Sequence, residues 1–436
     1  MTFASSTAAS SDLNGWYPCY ELTFSDEGAP NNKTAECATI KLPLCYPGIC
    51  KTHESASSKT VDIFVKRMVA TSANPTTASN VWLIQGGPGY SSTTCKFYLV
   101  MIPFFTRTAF LALCEKDEGC NKHFQSRQLN ETIQDVLTRL DKEPTSTCAS
   151  IITQVNSTSL DGRPSMTLKL ILGNLLKDPF ARPLIPPVVY RLNRCAPKDV
   201  NVLKQFVDAY NEYFINTNSE DNAYESDALY YLIVFSELWE QPAPSKAEIE
   251  ARIAATKFMD GGNPAYLMNP VYCVFSKEQS SSCQAYGLAN YTGNPIMYAR
   301  DQYWNKSATI PAQASVLLLS GKLDPVTNYK YAEYLLESLK GDNKELITFE
   351  YATHGIIAST NMIADDALSE TCGMRLLASY VENGGNLARL DKSCVNAMPP
   401  FSLAIPPAYL PVTMGTDEAY DGEYIVTDST TRKTQG

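Results

Sequence analysis

Three groups in this chain have the residue types and spacing of acyl-transfer chemistry. The first is Asp324, in Ser320-Gly321-Lys322-Leu323-Asp324-Pro325-Val326-Thr327. It stands just past an apolar run and just before a helical pattern, which presents a carboxylate at the rim of a sheet. Asp before Pro is also a common helix N-cap. The second is His354, in Ala352-Thr353-His354-Gly355, past the next apolar run and 30 residues further on. A histidine on a Gly-flanked loop at a strand end is placed to act as a general base, with an upstream Asp to orient it. A hydrated loop histidine is the blander account. The order Asp then His, after two consecutive buried strands, carries more weight than either residue alone. The third is Gln85-Gly86-Gly87-Pro88-Gly89. Glycines there let backbone N–H groups face a ligand oxygen, as an oxyanion hole requires, although a tight turn uses the same residues.

The elements that must position these groups are legible as hydrophobic runs. Val61–Ala70 reads as a strand of mixed pattern, after 60 irregular residues rich in Cys, Pro and Ser. Val81–Gln85 (VWLIQ) reads as a fully buried strand that stops at Gly-Gly-Pro-Gly. Val316–Ser320 and Leu346–Ala352 read as two more, with an amphipathic helix over Asn328–Leu339 between them. From Phe104 to Ala299 the spacing becomes helical, in stretches such as Asn130–Asp141, Val200–Phe214, Ala223–Trp239 and Lys246–Met259. The fold class expected is therefore α/β, with functional loops at the carboxyl ends of strands that flank a helical insert of roughly 190 residues. The expected division is 1–104 and 306–400 as two parts of one domain, 105–305 as the helical insert, and 401–436 as a Pro-rich to polar tail. The last ten or so residues read as disordered.

QGGPG, SGKLDPVTNYKYAEYL and ATHG together resemble the α/β-hydrolase peptidases of the proline iminopeptidase and tripeptidyl aminopeptidase group. The resemblance covers most of the chain and looks closest to secreted, Cys-rich oomycete-type members. It implies a mostly parallel sheet with a large helical lid, and a serine-type exopeptidase relay. Gly87 would be the oxyanion donor, Asp324 the orienting acid and His354 the base. Such enzymes place carboxylates in the lid to hold the substrate's free α-amine. Glu237 and Glu240, in FSELWEQP, are the candidates, and a solvated helix face is the plainer account of both.

One departure is decisive. The family's nucleophile sits in a G-x-S-x-G elbow, and this chain contains no such motif. Only the 20 residues 90–109 lie between Gly89 and Phe110, where the family needs central strands and their helices, on the order of 100 residues. Ser91 and Ser92 follow the loop directly and would not sit on an elbow. Cys95 is a thiol that nothing in the sequence links to His354, and the neighbours of Ser320 form no elbow. No nucleophile is assigned, and the central strands read as deleted. The chain is expected to be inactive in triad chemistry. The alternatives are a non-catalytic relative that binds peptide, or a truncated gene model of an active peptidase.

Composition limits the partners. With 36 basic against 46 acidic residues the net charge is −10, which disfavours nucleic acid and anionic lipid. No run of 18 apolar residues marks a membrane span. The expected partner is a peptide with a free N-terminus, bound by a monomer that uses no metal and no cofactor. Ten of the 13 cysteines fall at short-range spacing, Cys19 with Cys37, Cys45 with Cys50, Cys114 with Cys120, Cys273 with Cys283 and Cys372 with Cys394, although spacing alone does not fix the disulfides. Cys95, Cys148 and Cys195 remain, and one of these three is the expected orphan. Together with sequons at Asn32, Asn130, Asn156, Asn290 and Asn305, this usage points to secretion. Met1–Asp12 carries no apolar signal segment, so either a secretion signal has been lost from this version of the sequence, which is the expectation, or the cysteines are reduced.

Overall fold

In this computed structural model the described residues are 14–20, 34–43, 59–71, 78, 81–82, 84, 86–89, 107–156, 162–215, 226–259, 265–288, 292–298 and 304–425. Near the N-terminus, β1 (Tyr17–Tyr20), β2 (Thr34–Pro43) and β3 (Thr60–Arg67) form an antiparallel sheet in that order. The register pairs Cys19 with Ala35 and Glu36 with Arg67. A Cys19–Cys37 disulfide ties β1 to β2. The start of the chain is thus not irregular throughout. A cystine supplies the pairing that a Pro- and Ser-rich composition concealed.

The helical insert is the largest packed unit. Its helices include Leu129–Lys142, Pro164–Lys177, Ile185–Arg194 and Pro197–Tyr210. Leucine, isoleucine and valine at helical spacing bury Ile133, Val136, Leu168, Ile171, Val188 and Val202 in one core. Helix boundaries shift from the expected ones where caps decide. The Ala223–Trp239 stretch starts its helix at Asp227, because Ser226 caps it by accepting a hydrogen bond from Leu229 N–H. Ser245 and Glu248 form a capping box at Lys246–Ala254.

Residues 401–425, expected as part of a tail, belong to this core. Leu403, Leu410, Met414 and Ala419 are buried in it. Arg191 holds their end. Its fully buried guanidinium donates to the carbonyls of Glu418, Ala419 and Gly422 and pairs with buried Asp199 at 3.0 Å.

The parallel sheet is smaller than expected. β4 (Val316–Gly321) and β5 (Lys344–Phe349) pair in parallel around the helix Tyr329–Ser338, and no third strand joins them among the described residues. The helix Cys372–Glu382 packs with β5 in a second core and is stapled to Cys394 by a disulfide. The described residues of VWLIQ do not form the expected buried strand. Val81, Trp82 and Ile84 lie outside any strand, and Trp82 and Ile84 are 66% and 87% exposed. A parallel strand needs neighbours on its edges and cover on both faces, and among the described residues no strand pairs with Val81, Trp82 or Ile84.

Five disulfides join described residues. Four are short-range pairs read from spacing. Cys148–Cys195 is the fifth and joins two of the three cysteines left over. Cys45, Cys50 and Cys95 lie outside the described residues.

Candidate active site

Parallel pairing brings Asp324 and His354 together. The register sets Gly321 opposite Phe349, so both strands release their loops at the same edge. Two backbone bonds then tie the loops, from Lys322 N–H to Phe349 O at 2.9 Å and from Leu323 N–H to Ala352 O at 3.1 Å. Leu323 is buried in the helical core and anchors Asp324 from behind.

The result is a short, shielded contact. His354 Nδ1 lies 2.9 Å from Asp324 Oδ2, and the two side chains are 12% and 5% exposed. Oδ1 accepts from the backbone N–H groups of Val326 (2.7 Å) and Thr327 (2.9 Å). Oδ2 also accepts from the Thr327 hydroxyl at 2.7 Å. A carboxylate only accepts, so Nδ1 carries the proton and the Nε2 lone pair is left to act as a base. Gly355, in the left-handed region at φ 72°, turns the chain from His354 into the short helix Ile356–Ser359.

The pair opens on a cavity of about 320 Å³. Ser320, Asp324, Thr327 and His354 form its polar end, and Leu317, Leu319, Leu377 and Tyr380 form much of the apolar wall. Such an arrangement can move a proton beside an apolar ligand group. Among the described residues no hydroxyl or thiol is hydrogen-bonded to His354 Nε2. Ser320 lines the cavity without reaching the histidine in that sense. Ser91, Ser92 and Cys95 lie outside the described residues.

Residues 278–394 match the family model described as TAP-like protein. The matched residues contain β4, β5, Asp324, His354 and the Cys372–Cys394 staple. No curated protein and no solved structure matches the chain.

The remaining candidates lie elsewhere. Gly87 is exposed with φ 122° and does not line the cavity of the TAP-like segment. Its loop packs instead on the start of the helix Asp227–Ile233. Ser226 N–H donates to Gly89 O at 2.9 Å, and a side chain at Gly89 would collide with Ser226 O. Glu237 accepts from the Tyr298 hydroxyl, whose pKa is pushed up to about 12 by burial and by this bond. Glu240 receives both guanidinium nitrogens of Arg252. Neither glutamate lines the cavity. Two residues had no role in the sequence reading. Thr327 sits three after Asp324, a spacing at which a hydroxyl can return to the carboxylate. Arg182, in the helical insert, donates to Tyr351 O at 2.7 Å, three residues before His354, and nothing local in sequence announces it. Among the described residues no group of three or more His, Cys, Asp or Glu could hold a metal ion, and no helix is long and apolar enough to cross a membrane.

Proposed function

We propose that this chain is a hydrolase-fold relative of tripeptidyl and prolyl aminopeptidases that keeps the acid and base of a Ser–His–Asp relay without its nucleophile. It holds peptides with a free N-terminus and does not cleave them. The observation that supports this reading is the 2.9 Å contact between His354 and Asp324 inside the TAP-like segment. A histidine oriented in this way can take a proton from a hydroxyl, but acyl transfer also needs that hydroxyl to attack. Loss of the nucleophile alone costs a serine peptidase about 10⁶-fold in kcat. A peptide would enter the cavity beside His354, which Glu237, Glu240 and Gly87 do not line. The five disulfides fit an extracellular setting.

The test is turnover of aminoacyl- and tripeptidyl-coumarin substrates by the wild type and by His354→Ala, with calorimetric binding of a tripeptide amide alongside. Binding without His354-dependent turnover is expected. Robust turnover that disappears in His354→Ala would overturn the reading. The exposed apolar Trp82 and Ile84 favour a second reading, in which a longer active peptidase has lost its central segment from this sequence. Transcript sequencing across 89–110 separates the two, because an uninterrupted message encoding a G-x-S-x-G insert would select the second.

A further inference from the structure

We infer that Thr327 is the positioning residue of the Asp324–His354 pair, setting the imidazole tautomer through its hydroxyl. This rests on the reading of that pair as a proton relay. Thr327 touches every polar atom of the pair's junction. Its N–H donates to Asp324 Oδ1 at 2.9 Å, its hydroxyl donates to Oδ2 at 2.7 Å, and the same hydroxyl oxygen lies 3.3 Å from His354 Nδ1.

A hydroxyl has one proton and two lone pairs. Thr327 spends its proton on Oδ2, so toward Nδ1 it can only accept. The imidazole N–H therefore faces two acceptors, Oδ2 at 2.9 Å and Thr327 Oγ1 at 3.3 Å. Both favour a proton on Nδ1 and leave Nε2 bare, as a general base requires.

A turn-capping role would need less. The turn after Asp324 is closed by the two backbone N–H groups on Oδ1, and any residue at 327 supplies its share of those. The hydroxyl is surplus to the turn. It acts on the oxygen that faces the histidine, and fixing Oδ2 as well as Oδ1 sets the plane of the carboxylate against the ring. Thr327 is also exposed, so removing its hydroxyl opens no core cavity.

The experiment uses the full chain with ¹⁵N-labelled histidine and reads the His354 tautomer from long-range ¹H–¹⁵N correlations at neutral pH. The chain has 3 histidines, and His123→Gln and His53→Gln assign the signals. The wild type and Thr327→Ser are expected to show the Nδ1–H form. In Thr327→Val the ratio of Nδ1–H to Nε2–H should fall roughly fivefold, the worth of one ordinary hydrogen bond, with the thermal midpoint retained. Thr327→Ala repeats the reading without the second methyl of valine. A wild-type ratio in both Val and Ala variants overturns the positioning role. Asp324→Asn separates the two levels. If it also leaves the ratio unchanged, the relay reading itself fails, and if it alone moves the ratio, only the role of Thr327 is lost.

Discussion

At the scale of single residues, Gly321 shows how little room the site leaves. A Cβ there would stand 2.3 Å from Ala352 O and 3.1 Å from Ile356 Cδ1, so the loop that carries His354 could not lie where it does. Gly321→Ala should therefore cost about 1–3 kcal/mol, as overpacking usually does, and shift His354 away from Asp324. Urea unfolding reads the first effect and the His354 Nδ1–H signal the second. Unchanged stability would show that the loops yield without cost. Asp324 and His354 were legible in sequence because they follow two successive apolar runs, and parallel pairing puts such ends side by side. The partners of Glu237 and Glu240 were not legible. Tyr298 lies 61 residues from Glu237, and Arg252 reaches Glu240 only once the helix Lys246–Ala254 has packed. Local spacing carries no information about either. Thr327 lies between these cases, since its distance from Asp324 is readable but the direction of its hydroxyl is set by the fold.

Between elements, a long contact from the helical insert reaches the loop before His354. Arg182 places its guanidinium over the Phe401 ring at 5.1 Å and donates to Tyr351 O, which fixes the backbone just before His354. The fit is imperfect. Arg182 Nε is buried without a hydrogen-bond partner, and burial lowers the pKa to about 10 although Asp178 opposes the shift. A charged hydrogen bond of ~1.5–3 kcal/mol is thus partly offset by an orphaned donor. Arg182→Met should cost about 1–2 kcal/mol net, a modest drop in urea midpoint, while the chain before His354 loosens. Amide exchange at residues 351–354 measures that loosening. Exchange that stays at the wild-type rate would mean that the helical insert does not hold the loop. The same scale explains why VWLIQ misled. An apolar run becomes a strand only where edges and faces are covered, and a run cannot report whether its neighbours exist. The runs at β4 and β5 do form strands because they supply edges to each other, but both are largely half-buried, and the second spans Lys344–Phe349 rather than Leu346–Ala352.

Across the whole molecule, the C-terminal segment closes onto the helical insert through Arg191, and through His123. The His123 ring stacks on Tyr420 at 3.7 Å between centroids, with Nε2 buried and without a hydrogen-bond partner. Burial lowers the His123 pKa first, and Lys122 and Arg194 act in the same direction, against Glu418 and Asp421. The sign of the consequence follows by linkage. The unfolded chain titrates this histidine near 6.5 and the folded chain below that, so between the two values the unfolded state binds more protons. Stability is complete above pH 6.5 and declines as the pH falls toward the folded value. Below that value the loss from this group levels off. Carboxylates add their own acid sensitivity at lower pH, so the wild type must be compared with His123→Phe, which keeps the stack on Tyr420 without a titrating group. Thermal midpoints measured from pH 7.5 to 5 should fall more in the wild type than in the variant. Limited proteolysis at pH 5 should cut residues 415–425 faster in the wild type. If the two proteins lose stability in parallel over that range, the His123–Tyr420 stack is not what makes the closure sensitive to acid.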